Sequence, residues 1–182
     1  MKILRGNIPQ NLRLDKSRII VSKLKDSEAY KACTSVFCFV TMGSEPETAE
    51  IINTALADGK NVACPYTLPK SRLMYFIQID SLRGLIKSRF GVSEPFFDAD
   101  RVLTPDNNSL IIVPALAFDK DGYRIGYGGG YYDTYFESNP RGYRLGIAFD
   151  EMLVDNVPQE AHDRPIDMLI TDKGVLVWKP YK

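Results

Sequence analysis

Short apolar runs alternate along this chain with charge-rich stretches of helical period, and that alternation predicts an α/β fold. From Leu14 to Ala32 the residues Ile19, Ile20, Leu24 and Tyr30 recur among Lys, Arg, Asp and Glu, which predicts a surface helix with one apolar side. SVFCFVT, ending at Thr41, then has the composition of a buried strand. Pro46 in a first turn, followed by Ile51, Ile52, Ala55 and Leu56, predicts a second helix closed by Asp58 and Gly59, with NVACPY as the next strand. Together these make a βαβ unit. LMYFIQI alternates like a half-exposed strand, whereas Lys87 to Asp106, with Gly91, Pro95 and Pro105, carries few periodic signals and is mostly loop. SLIIVPALAF, RLGIAF, DMLITD and VLVWK are the strands expected to complete the sheet.

Composition narrows the class. The 182 residues, 45% of them hydrophobic, suffice for one sizeable core and are too few for two full domains, so one domain spanning 1–182 is expected. The 23 basic and 23 acidic residues cancel, which removes any global field that would steer the protein to nucleic acid or an anionic membrane. Cys33, Cys38 and Cys64 lack metal-ligand spacing and His162 is the only histidine, so an ordinary zinc site is excluded and the cysteines read as buried, reduced thiols. The opening MKILRGNIPQNLR has no apolar signal core, and no later run approaches membrane-spanning length. A cytoplasmic protein is the expectation.

The candidate chemistry lies in GYRIGYGGGYYD, from Gly122 to Asp133. Gly126, Gly128, Gly129 and Gly130 bare the backbone, and the following YYDTYFES predicts a short helix whose N-terminal amides suit a phosphorylated ligand. A hairpin needs no ligand, however, and DKDGYR before the run is good turn chemistry. The spacing matches neither a dinucleotide fingerprint nor a P-loop. Arg124 adds a permanent cation, Tyr127, Tyr131 and Tyr132 add flat surfaces and hydroxyls, and Asp133 adds a carboxylate able to hold a divalent ion. Together they suit a magnesium nucleotide. Taken singly, each also fits an ordinary role: a surface ion pair for Arg124, core packing for the tyrosines, a helix start for Asp133.

The glycine run, followed by HDRPID and preceded by SRIIVSKLKDSEAYKAC, TMGSEPETAEII and LIIVPALAFDKDG, resembles the 5-formyltetrahydrofolate cyclo-ligase family along almost the whole chain. The resemblance implies a single three-layer α/β/α domain with a mixed, largely parallel sheet, similar to the sugar-phosphate isomerase and CoA transferase group. It implies ATP-dependent closure of 5-formyltetrahydrofolate to 5,10-methenyltetrahydrofolate through a phosphorylated formyl group, with ADP and phosphate released. Arg124, Ile125, Gly126, Tyr127 and Gly128 would wrap the ATP phosphates together with Gly129, Gly130, Tyr131 and Tyr132, and Lys2 and Arg5 would meet them from the N-terminus. Met42 and Glu47 would contact the folate, bordered by Tyr127, Gly128, Gly129, Gly130 and Tyr131. Asp133 and Asp163 would share magnesium, Arg124 and Tyr131 would hold the catalytic places, and His162 receives no proton-transfer role.

The chain also departs from the family's pattern. Lys2 and Arg5 stand three apart where the family carries a lysine and an arginine four apart, and Tyr127 and Gly129 occupy places where some members carry a basic residue. The expected partners are 5-formyltetrahydrofolate and MgATP, bound by a monomer, or alternatively a homodimer. A folate- or nucleotide-binding protein without turnover and a phosphosugar enzyme of related fold are the alternatives.

Overall fold

Pro9 separates the first two helices, as its missing N–H and fixed φ require. The computed structural model describes residues 1–68, 71–88, 91–160 and 163–181. Helix α1 covers Lys2–Gly6 and α2 covers Gln10–Asp26, with Pro9 as the residue capping its start. The single helix expected from Leu14 to Ala32 thus begins earlier and is broken at Ser27. There the backbone turns extended, and the Ser27 hydroxyl accepts the N–H of Tyr30 at 3.2 Å, starting α3 over Glu28–Ala32. Helix α4 is Ala49–Ala57 and α5 is Tyr131–Ser138.

The strands are β1 Ser35–Cys38, β2 Asn61–Thr67, β3 Met74–Ile79, β4 Ile86–Lys87, β5 Ser93–Glu94, β6 Val102–Leu103 and β7 Ser109–Val113. They continue with β8 Ala117–Asp119, β9 Arg124–Ile125, β10 Tyr143–Ala148, β11 Leu153–Val154, β12 Met168–Thr171 and β13 Val175–Val177. Eight of them form one sheet in the order β13-β12-β10-β7-β1-β2-β3-β6. The central stretch from β12 to β2 is parallel throughout, and β13 and β3 close it with antiparallel pairing. The fold is therefore α/β with a large, mixed and mostly parallel sheet. β1 and β7 are buried along their whole length, as expected of parallel strands covered on both faces.

Side-chain register shows what covers those faces. Phe37 and Phe76 project to one side, their rings 5.2 Å apart, and Phe76 meets Tyr135 of α5 at 5.1 Å. The alternate row, with Val36, Val62, Leu110 and Ile112, is equally buried, and α2 and α4 are the long helices that pack against the sheet there. Lys16 of α2 reaches past the end of β12 to Asp172 at 2.6 Å and Glu151 at 2.8 Å. Among the described residues no helix is long and apolar enough to cross a membrane.

Two departures from the expected strands bear on function. SLIIVPALAF is not one strand: it breaks at Pro114, which cannot donate to a central ladder, into β7 of the large sheet and β8 of a small sheet ordered β11-β8-β9. The stretch from 87 to 106, expected as loop, holds the two-residue β5 and β6 and a 3-10 turn at Ala99–Arg101. The hairpin reading of DKDGYR holds for the turn itself. Asp119, fully buried, accepts the N–H groups of Asp121 and Tyr123 at 3.0 and 2.9 Å and so templates the β8–β9 turn. The glycines from 126 to 130 lie beyond β9 and are not explained by it.

Candidate active site

In the parallel core the chain runs outward from β1 to β2 on one side and from β7 to β10 and β12 on the other, so its direction reverses between β1 and β7. Ligand crevices of open α/β sheets form outside the carboxyl ends of strands at such a reversal. A cleft of about 370 Å³ lies there. Phe39, Val40 and Met42, which follow β1, line it with Pro65 and Thr67 of β2 and Pro114, which follows β7; Gly126, Tyr127, Gly129 and Gly130 form the facing wall with Tyr131, Tyr132 and Asp133 of α5. One wall is mainly apolar but holds two buried carboxylates, Glu45 and Glu94 of β5, the latter accepting the Thr67 hydroxyl at 2.8 Å; the other is backbone and polar side chains.

The glycine run links β9 to α5. Gly128 and Gly130 adopt φ of 84° and 67°, which side chains resist, and Gly130 is the N-cap of α5. No heavy atom lies within 4 Å of where a Cβ would stand on Gly126 or Gly128, so the backbone at both is open to a close approach. The first N–H groups of α5 have no partner within the helix by construction. Such a cradle fits phosphate oxygens by chemistry and shape.

Arg124 holds the two ends of the site together. Its Nη2 donates to Asp133 Oδ1 at 2.6 Å, its Nη1 donates to the carbonyl of Arg164 at 2.7 Å, and its guanidinium lies 5.5 Å from the Phe136 ring centre. Asp163, next to that carbonyl, is half-buried and accepts the N–H of Glu160 at 2.7 Å. Among the described residues no three His, Cys, Asp or Glu side chains converge as a metal cage. Magnesium needs no such cage, because it is typically held by one or two carboxylates together with phosphate oxygens and water. Asp133, on the cleft wall, supplies a hard oxygen donor of the right kind.

Across the cleft, Glu45 is only 5% exposed. Its Oε1 accepts the Tyr127 hydroxyl and its Oε2 accepts the N–H of Met42 at 2.8 Å. Burial pushes the Glu45 carboxyl up, opposed by those two hydrogen bonds and the charge of Arg5. The Tyr127 phenol is pushed up to about 12, chiefly by burial, and stays a neutral donor near pH 7. Tyr132 is raised further by burial, and its hydroxyl is buried with no hydrogen-bond partner among the described residues. Cys33, Cys38 and Cys64 are free and buried, and burial raises all three thiols, so none is poised as a nucleophile.

The structure gathers most, though not all, of the residues singled out in the sequence. Met42, Arg124, Gly126, Tyr127, Gly129, Gly130, Tyr131, Tyr132 and Asp133 line one cleft, with Ile125 and Gly128 between them in the chain. Glu47 is half-buried outside that lining, its N–H bonded to Ser17 Oγ at 3.0 Å. Lys2 is exposed on α1, whereas Arg5 is buried and bonded to protein atoms. His162 lies outside the described residues. Sequence reasoning missed Glu45, since nothing in SEPE distinguishes the first glutamate from the second.

A crevice at the sheet reversal, walled by a glycine turn and a helix start, is the kind of site in which an α/β enzyme can take a phosphorylated ligand beside a flat apolar one. Comparison with known proteins makes this specific: residues 1–172 match the model of the 5-formyltetrahydrofolate cyclo-ligase family. A 5-formyltetrahydrofolate cyclo-ligase of Escherichia coli K12 is 30% identical over 151 residues, covering 79% of this chain and 81% of that one. A probable 5-formyltetrahydrofolate cyclo-ligase of Schizosaccharomyces pombe is 26% identical over 94% of this chain and 91% of its own. The solution structure of Aquifex aeolicus 5,10-methenyltetrahydrofolate synthetase superimposes with a TM-score of 0.79 at 26% identity, covering 98% of this chain and 87% of that chain. The chain belongs to the 5-formyltetrahydrofolate cyclo-ligase family and is an enzyme of folate one-carbon chemistry.

Proposed function

We propose that this cyclo-ligase lays the reduced pterin of 5-formyltetrahydrofolate on the apolar wall of the cleft and the phosphates of ATP along the glycine run. The formyl oxygen then meets the γ-phosphate where the walls join. The observation that carries this reading is the division of a single cleft into a mainly apolar wall bearing two buried carboxylates, Glu45 and Glu94, and a wall of open backbone ending in Arg124 and Asp133.

The chemistry demands such a division. The N5-formyl group is an amide, so its carbon is a poor electrophile and its oxygen a poor leaving group. Attack of that oxygen on the γ-phosphorus forms a new P–O bond as the bond to the β-phosphate oxygen breaks, and ADP leaves. The N10 lone pair closes on the activated carbon, the C–O bond breaks, and phosphate departs with the former formyl oxygen. N10 gives up its proton, leaving 5,10-methenyltetrahydrofolate. The protein's work is alignment and charge compensation, which positioned amides and cations supply without a protein nucleophile.

The chain's own groups divide that work. The amides of the glycine run and of Tyr131 and Tyr132 hold phosphate oxygens, Arg124 supplies positive charge beside the transferred group, and Tyr131 borders both substrates. Exposed Lys2 adds a cation toward the phosphates, and Met42 packs on the ring. Magnesium, held by Asp133 with Asp163 as second carboxylate, would neutralise charge on the β- and γ-phosphates.

The test is to mix the purified protein with 5-formyltetrahydrofolate, magnesium and ATP and follow the near-ultraviolet absorbance of the methenyl product. An ATP-dependent rise is expected. A rise that does not depend on ATP, or none at all, overturns the proposal.

A further inference from the structure

Glu94 ends β5 and is only 5% exposed, yet it lines the cleft with Thr67 of β2 and Met74 of β3. Its backbone is held extended by pairing with Ile86 of β4 and by Pro95, which keeps the residue before it out of the helical region. Its Oε1 accepts the Thr67 hydroxyl at 2.8 Å. No other described residue donates to this carboxylate, and no described lysine or arginine pairs with it. A carboxylate has about four acceptor positions, and burying one with most of them open is costly. Such a group is retained where function requires it.

The other titratable groups of the cleft are engaged. Glu45 accepts the Met42 N–H on one oxygen and the Tyr127 hydroxyl on the other, while Asp133 is in an ion pair with Arg124 on the glycine wall. The Tyr127 phenol, pushed up to about 12, keeps its proton near pH 7. Glu94 is thus the described carboxylate of the cleft that has neither a cation nor a bond on both oxygens.

Ring closure creates a need for such a group. N10 carries a hydrogen, and once its lone pair is bonded to the formyl carbon that hydrogen is strongly acidic. It must leave before N10 can share electrons with the carbon in the flat N5–C–N10 cation of the product. With the phosphoryl group on the glycine wall, N10 and its hydrogen lie toward the other wall, which holds Glu94.

We propose that Glu94 is a catalytic residue that accepts the N10 proton during ring closure. The N10 lone pair forms the bond to carbon, the C–O bond breaks with its electron pair leaving on phosphate, and the N10–H pair stays on nitrogen as the proton passes to Glu94 Oε2. The negative charge of Glu94 also favours the cation developing over N5, carbon and N10. Thr67 is a positioning residue that fixes the rotation of the carboxylate through Oε1. The assignment rests on the placement of 5-formyltetrahydrofolate and ATP in this cleft.

Rapid-quench kinetics of the full chain separate the two steps, because ADP reports phosphoryl transfer and near-ultraviolet absorbance reports closure. Glu94→Gln keeps an acceptor for Thr67 and removes the base. It is expected to lower kcat about 100-fold or more without raising either KM, and to release a stoichiometric burst of ADP at the wild-type rate before methenyl product forms. Thr67→Val should slow closure about three- to tenfold, again with the ADP burst intact, and it decides the matter if Glu94→Gln fails to fold. ADP formation slowed as much as closure overturns the inference, as does a raised folate KM with unchanged kcat or a closure rate that neither substitution alters. If the wild-type protein forms no methenyl product, the site reading itself fails. Normal wild-type turnover with closure unchanged in the variants removes this inference alone.

Discussion

Arg124 Nη2 and Asp133 Oδ1 stand 2.6 Å apart, tying the last strand before the glycine run to the first turn of the helix after it. The two side chains are 5% and 23% exposed, so the pair is shielded from solvent and its loss is felt. It fixes both ends of a loop whose conformation depends on glycine. Asp133→Asn keeps the shape and one acceptor but removes the charge. Turnover is expected to fall by about two orders of magnitude and stability by about 1–2 kcal/mol, measured by initial rates and urea unfolding. Turnover within a few-fold of wild type would show that the carboxylate's charge is dispensable.

Tyr132 gives a prediction of opposite sign. Its ring packs on Phe76 and Phe136, but its buried hydroxyl lacks a partner among the described residues. Leaving such a group unsatisfied costs on the order of 1–3 kcal/mol. Tyr132→Phe should therefore stabilise the ligand-free protein by about 1 kcal/mol in urea unfolding. A destabilised variant would show that the hydroxyl has a partner in the free protein.

Lys16 tests how α2 is fastened to the sheet. Its Nζ lies 2.6 Å from Asp172 and 2.8 Å from Glu151, with Lys16 and Asp172 side chains only 9% and 7% exposed. Lys16→Met leaves Asp172 without its cation and is expected to cost about 3 kcal/mol near neutral pH. Burial opposes the charge on both groups, yet the hydrogen bonds outweigh it, holding Lys16 above its usual 10.5 and Asp172 below its usual 3.8. A lowered carboxyl stabilises above its unfolded pKa and loses that contribution as pH falls through the folded one; a raised amine does the reverse at the alkaline end. The gap between variant and wild type should be flat from about pH 5 to 9 and close below 3.8 and above 10.5. Unfolding curves across pH check this.

Gly146 governs how closely the small sheet approaches the large one. A Cβ there would lie 2.6 Å from Ile166 Cδ1 and 2.7 Å from the Phe118 ring. Both neighbours are buried, so neither can swing away into solvent. Gly146→Ala is expected to cost about 1–3 kcal/mol by overpacking. Because β9 carries Arg124 on that small sheet, the same substitution should raise the ATP KM. A thermal melt and the ATP KM, measured together, check both halves.

Much of the fold was legible because its signals are local. The apolar runs of β1, β2, β7, β10 and β12 report burial on two faces. The split at Pro114 could have been read from the ring's missing donor, and the cap at Ser27 from its hydroxyl ahead of Glu28. Strand order was not legible, since nothing in a single strand states which neighbour it takes. The glycine wall was legible for the same local reason as the strands: its chemistry is contiguous in the chain. The opposite wall is assembled across long separations, with Glu45 and Tyr127 82 positions apart in the chain and Arg5 and Tyr127 122 positions apart. The burial of Arg5 was not legible either, because an arginine near a terminus carries no mark of being buried.

The buried seat of Arg5 has a consequence for biosynthesis. Its hydrogen-bond partners at Ala115 and Tyr127 are 110 and 122 residues further along, so at about 5–20 residues per second they leave the ribosome some seconds after it. Until then, of Arg5's hydrogen-bond partners only Ser44 is present, and α1, five residues long, is too short to persist as an isolated helix. The first helix of the described fold is therefore among the last of its elements to find its place.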